Sequence, residues 1–312
     1  MSERDAALEA ARASGVPGEC VESDSCPWHG LLAAVDGYSA AESRLPWMTW
    51  RDWGWKAAVA AASDVAASGG SVGALLVSVG APEPRVGVEV AAGVGEAAAW
   101  MGATVLGGDM NSCRCGDAWV DVTVIGRRLY WSPRWAARPG DVLVRAGPLG
   151  YGVLAAAALK DENVLDLIPG NILDYTRRPR PPLGLPLALA LEGCPPRAGV
   201  DNSDGWAETL WLMAEASRVR LLIDSLDPSS DVRGILEALG LLDPLAVASS
   251  AEDYTLLLSI DSESAECALS ACRKAGVECL VVGRVERGEP GVYYRGKPLP
   301  RRGWDSFASQ VV

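Results

Sequence analysis

Histidine occurs once in this 312-residue chain, at His29, and phenylalanine once, at Phe307. One histidine removes the Ser–His–Asp and Cys–His nucleophile systems and any metal centre built on two histidines. Eight cysteines are present, but only Cys113 and Cys115 stand close together, as C-x-C, and no pair has C-x-x-C spacing. That spacing gives little support to a zinc site, and the cysteines read as small buried or loop thiols. A basic excess is also missing: the formal charge is −12 and the pI about 4.7, which excludes a general nucleic-acid surface. The long apolar stretches, such as "LGLPLALALEG", are broken by Pro or Gly and too short to span a bilayer. "MSERDAALEAARASG" reads as a charged amphipathic helix without the apolar centre of a signal peptide, so a cytoplasmic location is expected. No G-x-x-x-x-G-K-[ST] loop occurs, and "GVGEAAAW" does not fit G-x-G-x-x-G after a strand. Chemistry in this chain must therefore rest on carboxylates, arginine, backbone groups and metal.

The residues that are present describe a globular protein. Apolar types make up 49%, with 34 glycines and 20 prolines spread along a chain long enough for two domains. Arginine outnumbers lysine 24 to 4, a bias that fits a GC-rich or heat-adapted source. Strand-like runs occupy residues 30–37, 73–80, 103–108, 118–128, 141–147, 219–224, 253–260 and 277–285. Helical spacing occupies 50–68, 84–101, 150–160, 183–191, 204–217, 231–240 and 263–275. Alternation of this kind predicts an α/β or α+β protein. "SPRWAARPGD" (132–141) marks a domain boundary, and "YTRRPRPPLG" (175–184) an internal excursion.

Several aspartates sit where strands end or helices break their pattern. Asp36 ends "LLAAVD", Asp64 sits in the small-residue helix "AASDVAASGG", and Asp109 closes "VLGGDMN". Asp201 and Asp204 flank a hydroxyl in "VDNSDG", more than one N-cap requires. Asp24, in "ESDSC", has by itself only the features of a turn residue. Carboxylates at the ends of different strands, beside glycines that admit a phosphate, describe a site for Mg²⁺ and a nucleotide. Phosphoryl transfer at such a site needs positioning and charge neutralisation, which metal and an arginine supply.

"DWGWKAAVAAASDVAASGG", "LGGDMN", "RWAARPGD", "VDNSDGW", "AEDYTLL" and "GWDSF" follow one another in an order that resembles thiamine-monophosphate kinase, within the aminoimidazole-ribotide synthetase-like superfamily. The resemblance runs from about residue 20 to 307. It implies a two-domain α/β fold whose N-terminal sheets pair across a homodimer. Residues 1–136 would form the ATP- and metal-binding, dimerising domain, and 137–312 a C-terminal α/β domain. It places metal ligands at Asp24, Asp36, Asp64, Asp109, Asp201 and Asp204, and ATP contacts at Gly108, Asp109, Arg134 and Ser203. Asp204 and Arg134 would be catalytic, while Glu252 and Trp304 would face thiamine monophosphate. ATP and Mg²⁺ are the implied cofactors, and the implied reaction is direct in-line transfer of the γ-phosphate to give thiamine diphosphate.

The chain departs from the family pattern at four places, one of them "SSAEDYTL" where the family has "GGEDYEL". Ala34 and Val35 stand where two hydroxyl ligands belong, Ser43 replaces a substrate-contacting histidine, and the end reads "DSF" in place of "DHF". These changes keep two other readings in view: a related ATP-using enzyme with a different acceptor, and a non-catalytic nucleotide-binding relative. Trp47, Trp50, Trp53 and Trp55 read as packing or a dimer contact, His29 as a surface loop residue, and Arg177, Arg178 and Arg180 as a solvated loop. Cys267, Cys272 and Cys279 are expected to pack a helix against the following strand.

Overall fold

The computed structural model describes residues 3–113, 116–305 and 310–311. After α1 (Glu3–Ala13), the chain forms β1 (Cys26–Trp28), β2 (Leu31–Ser39), α2 (Ala40–Ser43), α3 (Trp50–Ala67), β3 (Gly70–Ala81), α4 (Pro84–Met101), β4 (Thr104–Ser112) and β5 (Trp119–Arg128). The second half begins with β6 (Val142–Ala146), α5 (Tyr151–Lys160), α6 (Gly170–Arg177), α7 (Leu185–Glu192), β7 (Ala198–Asp201), α8 (Trp206–Ser217) and β8 (Arg220–Ile223). It continues with α9 (Ser230–Ala238), α10 (Pro244–Ala248), β9 (Leu256–Ile260), α11 (Ala265–Ala275), β10 (Cys279–Glu286), β11 (Gly291–Tyr294) and β12 (Lys297–Pro298). Two short strands, β13 (Trp304–Asp305) and β14 (Gln310–Val311), pair with each other.

Two sheets organise these elements. The first runs β1-β2-β5-β3-β4, and the second β12-β11-β8-β10-β6-β9-β7. In β5 the side chains alternate: Val120, Val122 and Val124 are fully buried, whereas Asp121 and Thr123 face the other way. The buried face packs against α3 and α4. The opposite face leaves Val35 62% exposed and Leu76 41% exposed, an apolar surface without a cover in the single chain.

α3 is apolar on nearly every side, as expected of a helix enclosed by other elements. Its start is secured by a capping box: Thr49 Oγ1 accepts from the Asp52 N–H, and Asp52 Oδ2 accepts from the Thr49 N–H. A Cβ on Gly54 would lie 2.1 Å from the Val90 carbonyl oxygen, and one on Gly93 would lie 2.0 Å from that of Arg51. Only glycine permits the backbones of α3 and α4 to approach so closely. The far end of α3 enters the second domain, where Ala66 and Ala67 pack with Val144, Leu256 and Leu258. Gly199 of β7 touches that end, since its Cβ would fall 2.0 Å from the Ala67 carbonyl oxygen. Asp64 and Asp201 are thereby brought together from different domains.

Some expectations need correction. Cys272 and Cys279 do join a helix to the next strand, but as a disulfide, and Cys20 is bonded to Cys26; Cys194 and Cys267 are free thiols. Arg178 is no solvated loop residue: its Nε donates to Asp52 at 2.5 Å and its Nη1 to Glu96 at 2.8 Å. The 175–184 excursion begins inside α6, and Trp55 Nε1 donates to the Pro179 carbonyl at 3.0 Å. The tryptophan cluster is packing, with Trp53 fully buried and Trp55 5% exposed. Cys115, Ser306 and Phe307 lie outside the described residues, and with them one member of the C-x-C pair and the end of the "GWDSF" motif.

Candidate metal and nucleotide site

Three carboxylates from distant parts of the chain converge. Asp64 comes from α3, Asp201 ends β7, and Asp24 lies in the loop before β1; an oxygen of each lies within 4.8 Å of the others. Ser63 Oγ donates to Asp201 Oδ2 at 2.5 Å. The Arg134 guanidinium, from the turn after β5, donates to Asp24 Oδ1, and the Asp24 side chain is only 2% exposed. Asp36 points from β2 toward the same region, on the face that carries buried Leu32 and Ala34.

This grouping is unfavourable as it stands. Two unit negative charges 4.8 Å apart repel by about 3.5 kcal/mol at an effective dielectric of about 20. Burial, together with the neighbouring carboxylates, holds Asp64 and Asp201 well above the ordinary carboxylate range. Burial and the Asp24 charge push Asp36 up to about 6. Asp204, at the open side, is pushed up to about 7 by desolvation and by Glu3 and Glu208, while the residue as a whole remains exposed. One arginine does not neutralise such a set. Asp24 Oδ2 is buried and accepts no hydrogen bond within the protein. Hard oxygen donors, an unused buried lone pair and excess negative charge fit a magnesium ion.

The loop after β7 is braced from two sides. The Asn202 carbonyl accepts from the Tyr254 N–H at 3.0 Å, that of Ser203 from the Glu252 N–H at 2.8 Å, and that of Asp204 from the Trp304 N–H at 2.9 Å. Asp253 fixes the opposing segment, accepting from the N–H groups of Gly150 at 2.7 Å and Gly152 at 2.9 Å. Glu252 and Tyr254 on either side adopt left-handed backbone conformations, with φ of 58° and 51°. Non-glycine residues held there mark a segment whose geometry the surroundings enforce.

Glu252 meets a lysine that sequence reasoning passed over. Lys56, 1% exposed on α3, places Nζ 2.5 Å from Glu252 Oε1, donates to the Ser43 carbonyl and lies 5.9 Å from the Tyr38 ring centre. It was visible as the one lysine of that helix, at the head of its alanine run, but nothing local named its partner. Lys56 and Asp64 are eight residues apart on α3, so the Glu252 end and the carboxylate end are separated by about 12 Å along the axis. Trp304, 39% exposed, stands beside Asp204.

Other expected site residues fall elsewhere in the single chain. Asp109 and Gly108 lie on the exposed edge strand β4, and Asn111 Nδ2 donates to Asp109 at 2.6 Å. Asp109 aligns with Ser78 and Asp121, on the face opposite Asp36. Val35 also faces that outer side, whereas Ala34 is buried. Ser43 is engaged in packing: its Oγ accepts from Trp53 Nε1 at 2.8 Å and donates to the Ser39 carbonyl at 2.7 Å. It is not free to replace a substrate histidine.

Comparison with known proteins agrees with this architecture. Residues 24–128 match the AIR synthase related protein N-terminal domain, and residues 138–295 the corresponding C-terminal domain. The chain is 33% identical over 290 residues to the thiamine-monophosphate kinase of Pyrobaculum calidifontis, covering 92% of this chain and 91% of that one. The crystal structure of tt0281 from Thermus thermophilus superposes with a TM-score of 0.84 at 30% identity, covering 95% and 98% of the two chains. AaThiL complexed with AMPPCP and TMP superposes with a TM-score of 0.80 at 22% identity, covering 96% of each, and shares the fold.

Proposed function

We propose, from the premise that this chain belongs to the thiamine-monophosphate kinase family of AIR synthase related proteins, that it transfers the γ-phosphate of ATP to thiamine monophosphate, giving thiamine diphosphate and ADP. The observation that carries this reading is the convergence of Asp24, Asp64 and Asp201 beside Arg134, with Glu252 held by Lys56 two turns away on the helix that carries Asp64.

Asp24, Asp64 and Asp201 would hold Mg²⁺, with Asp36 and Asp204 at the margin of the group. When bound, the metal supplies positive charge that screens repulsion between two phosphate-bearing molecules. The chain's own residues do the rest. The braced 202–204 backbone sets Ser203 at the triphosphate, and Arg134 keeps Asp24 in place and offers a fixed guanidinium to phosphate oxygens. Glu252, oriented by Lys56, faces the acceptor, and Trp304 offers a ring to its cationic heteroaromatic part. A phosphate-monoester oxygen of the acceptor attacks the γ-phosphorus. The bond from that phosphorus to the β–γ bridging oxygen breaks, and its electron pair leaves with ADP. A phosphate monoester has its second pKa near 6, so the nucleophile is already ionised near neutral pH and no protein base is required. The single histidine is consistent with this.

The uncovered face carrying Val35, Leu76 and Trp119 supports pairing of two N-terminal sheets in a homodimer, which would also give Asp109 and Gly108 a partner surface. Two domains meeting near residue 136 belong to the same proposal. Among the described residues no helix is long and apolar enough to cross a membrane, and a cytoplasmic location is part of the reading. The test is direct: incubate purified protein with Mg²⁺–ATP and thiamine monophosphate, then separate thiamine phosphates chromatographically. Thiamine diphosphate formed in step with ADP supports the assignment. ADP-free, product-free mixtures with ATP still bound would shift it to another acceptor or a non-catalytic relative.

A further inference from the structure

Asp24 is the least anchored member of the carboxylate group by its own backbone. Asp64 sits on a long enclosed helix and Asp201 on a sheet strand, whereas Asp24 lies in the loop between Cys20 and Cys26. Hydrogen bonds of that loop's backbone are local: Cys20 N–H donates to Pro17 at 2.8 Å and Ser23 N–H to Cys20 at 3.2 Å. Side chains tie the segment to the domain through Arg134 on Asp24, Trp135 Nε1 on the Glu19 carbonyl at 2.9 Å and Arg4 on Glu22 at 3.4 Å, and its one covalent closure is the Cys20–Cys26 disulfide, with the two Cα atoms 5.2 Å apart. Cys20 is 6% exposed, and Cys26 is fixed in β1 opposite Ala33 of β2, the strand that carries Asp36. The bridge thus encloses Asp24 in a loop, Cys20 to Cys26, tied to the sheet edge. Within that span Asp24 Oδ2 and the hydroxyls of Ser23 and Ser25 are buried without a protein hydrogen-bond partner. A loop that buries several unpaired polar atoms next to a carboxylate pair is held there by something other than its own hydrogen bonding.

We propose that the Cys20–Cys26 bridge is a positioning element for the metal site: the oxidised form presents Asp24 to the divalent cation, and the reduced form releases it. The proposal rests on the reading that Asp24, Asp64 and Asp201 hold a divalent cation. Reduction is thiol–disulfide exchange with a dithiol. One thiolate of the reductant attacks a cysteine sulfur, the S–S bond breaks, and the second thiolate displaces the remaining sulfur. Two electrons and two protons pass to the protein, leaving two cysteine thiols and an oxidised cyclic disulfide. Loss of a contact that orients a metal ligand typically weakens affinity by about 10- to 100-fold, and about 10-fold is expected here.

The experiment measures Mn²⁺ binding, in the absence of nucleotide, by the electron paramagnetic resonance signal of the free ion. Wild type is compared before and after dithiothreitol, alongside C20S/C26S and the control C272S/C279S. Differential alkylation and mass spectrometry report the state of Cys20 and Cys26 in each sample. Wild type should bind about tenfold more weakly once reduced, C20S/C26S should match reduced wild type and ignore dithiothreitol, and C272S/C279S should keep the response. Should C20S/C26S fail to fold, the wild-type comparison decides, with far-UV circular dichroism showing that the reduced protein keeps its fold. Equal Mn²⁺ affinity in the two states overturns the proposal, as does finding Cys20 and Cys26 alkylatable in air-oxidised protein. Absence of Mn²⁺ binding in both states would instead remove the metal assignment on which it stands.

Discussion

Replacing Asp36 by Asn should make the metal-free protein more stable at pH 8 while weakening its response to Mg²⁺. Asp36 is half-buried, and desolvation with the Asp24 charge raises its carboxyl from 3.8 to about 6. An acid whose folded pKa lies above its unfolded value costs nothing below about pH 3.8, progressively more up to 6, and its full penalty above that. The full penalty is the difference between those two values at 1.36 kcal/mol per unit, about 3 kcal/mol. Partial solvent access lowers the net gain from removing the charge to about 1–2 kcal/mol. For a protein of this size that raises the melting temperature by about 1.5–3 °C. The assay is thermal unfolding of wild type and D36N in EDTA at pH 8 and at pH 4, then at pH 8 with excess Mg²⁺. The gain should appear in EDTA at pH 8 and vanish at pH 4, where the carboxyl is already protonated. Added Mg²⁺ should raise wild type more than the variant. A D36N protein less stable than wild type in EDTA at pH 8 would refute the claim that these carboxylates repel one another.

Three further outcomes are expected. Asp64→Asn should reduce turnover by at least about 100-fold, the scale of losing a central electrostatic element, without altering far-UV circular dichroism. Lys56→Met removes the cation that orients Glu252 and should raise KM for thiamine monophosphate about tenfold with a smaller change in kcat, since a hydrogen bond to a charged group is worth about 1.5 kcal/mol or more; steady-state kinetics separate the two. Asp36 near 6 and Asp204 near 7 carry protons that a cation must displace, so Mg²⁺ affinity should rise from pH 5 to pH 8; calorimetry in buffers of different ionisation enthalpy should register proton release on binding.

Long periodic segments and short strands made of apolar runs, such as β8, were readable from sequence, and non-local features were not. The spacing over 50–68 corresponds to α3 at Trp50–Ala67, and that over 84–101 to α4 at Pro84–Met101. β7 went unread because Ala198–Asp201 follows two prolines and carries only one large apolar residue, Val200, whereas β8, equally short, is a Leu-Leu-Ile run. Yet β7 is the strand that carries Asp201 to Asp64. Asp24 has only turn features in its local sequence, and its standing depends on Arg134, 110 residues away. Lys56 and Glu252 are separated by 196 residues, so neither announces the other. Asp64 was legible for the opposite reason: a carboxylate inside an alanine-rich helix carries a desolvation cost that demands a partner. The tryptophans of 47–55 read as packing or a dimer contact, and the bonds of Trp47 to Thr176 and of Trp55 to Pro179 span more than 120 residues and have no local signal.

The measurement that tests the central claim most directly is diffraction from crystals grown with Mn²⁺ and an ATP analogue, with data collected near the manganese edge. An anomalous peak is expected bonded to carboxylate oxygens of Asp24, Asp64 and Asp201 at about 2.0–2.2 Å, near the analogue's terminal phosphates. Anomalous peaks at the phosphates with none touching these three residues would contradict that claim.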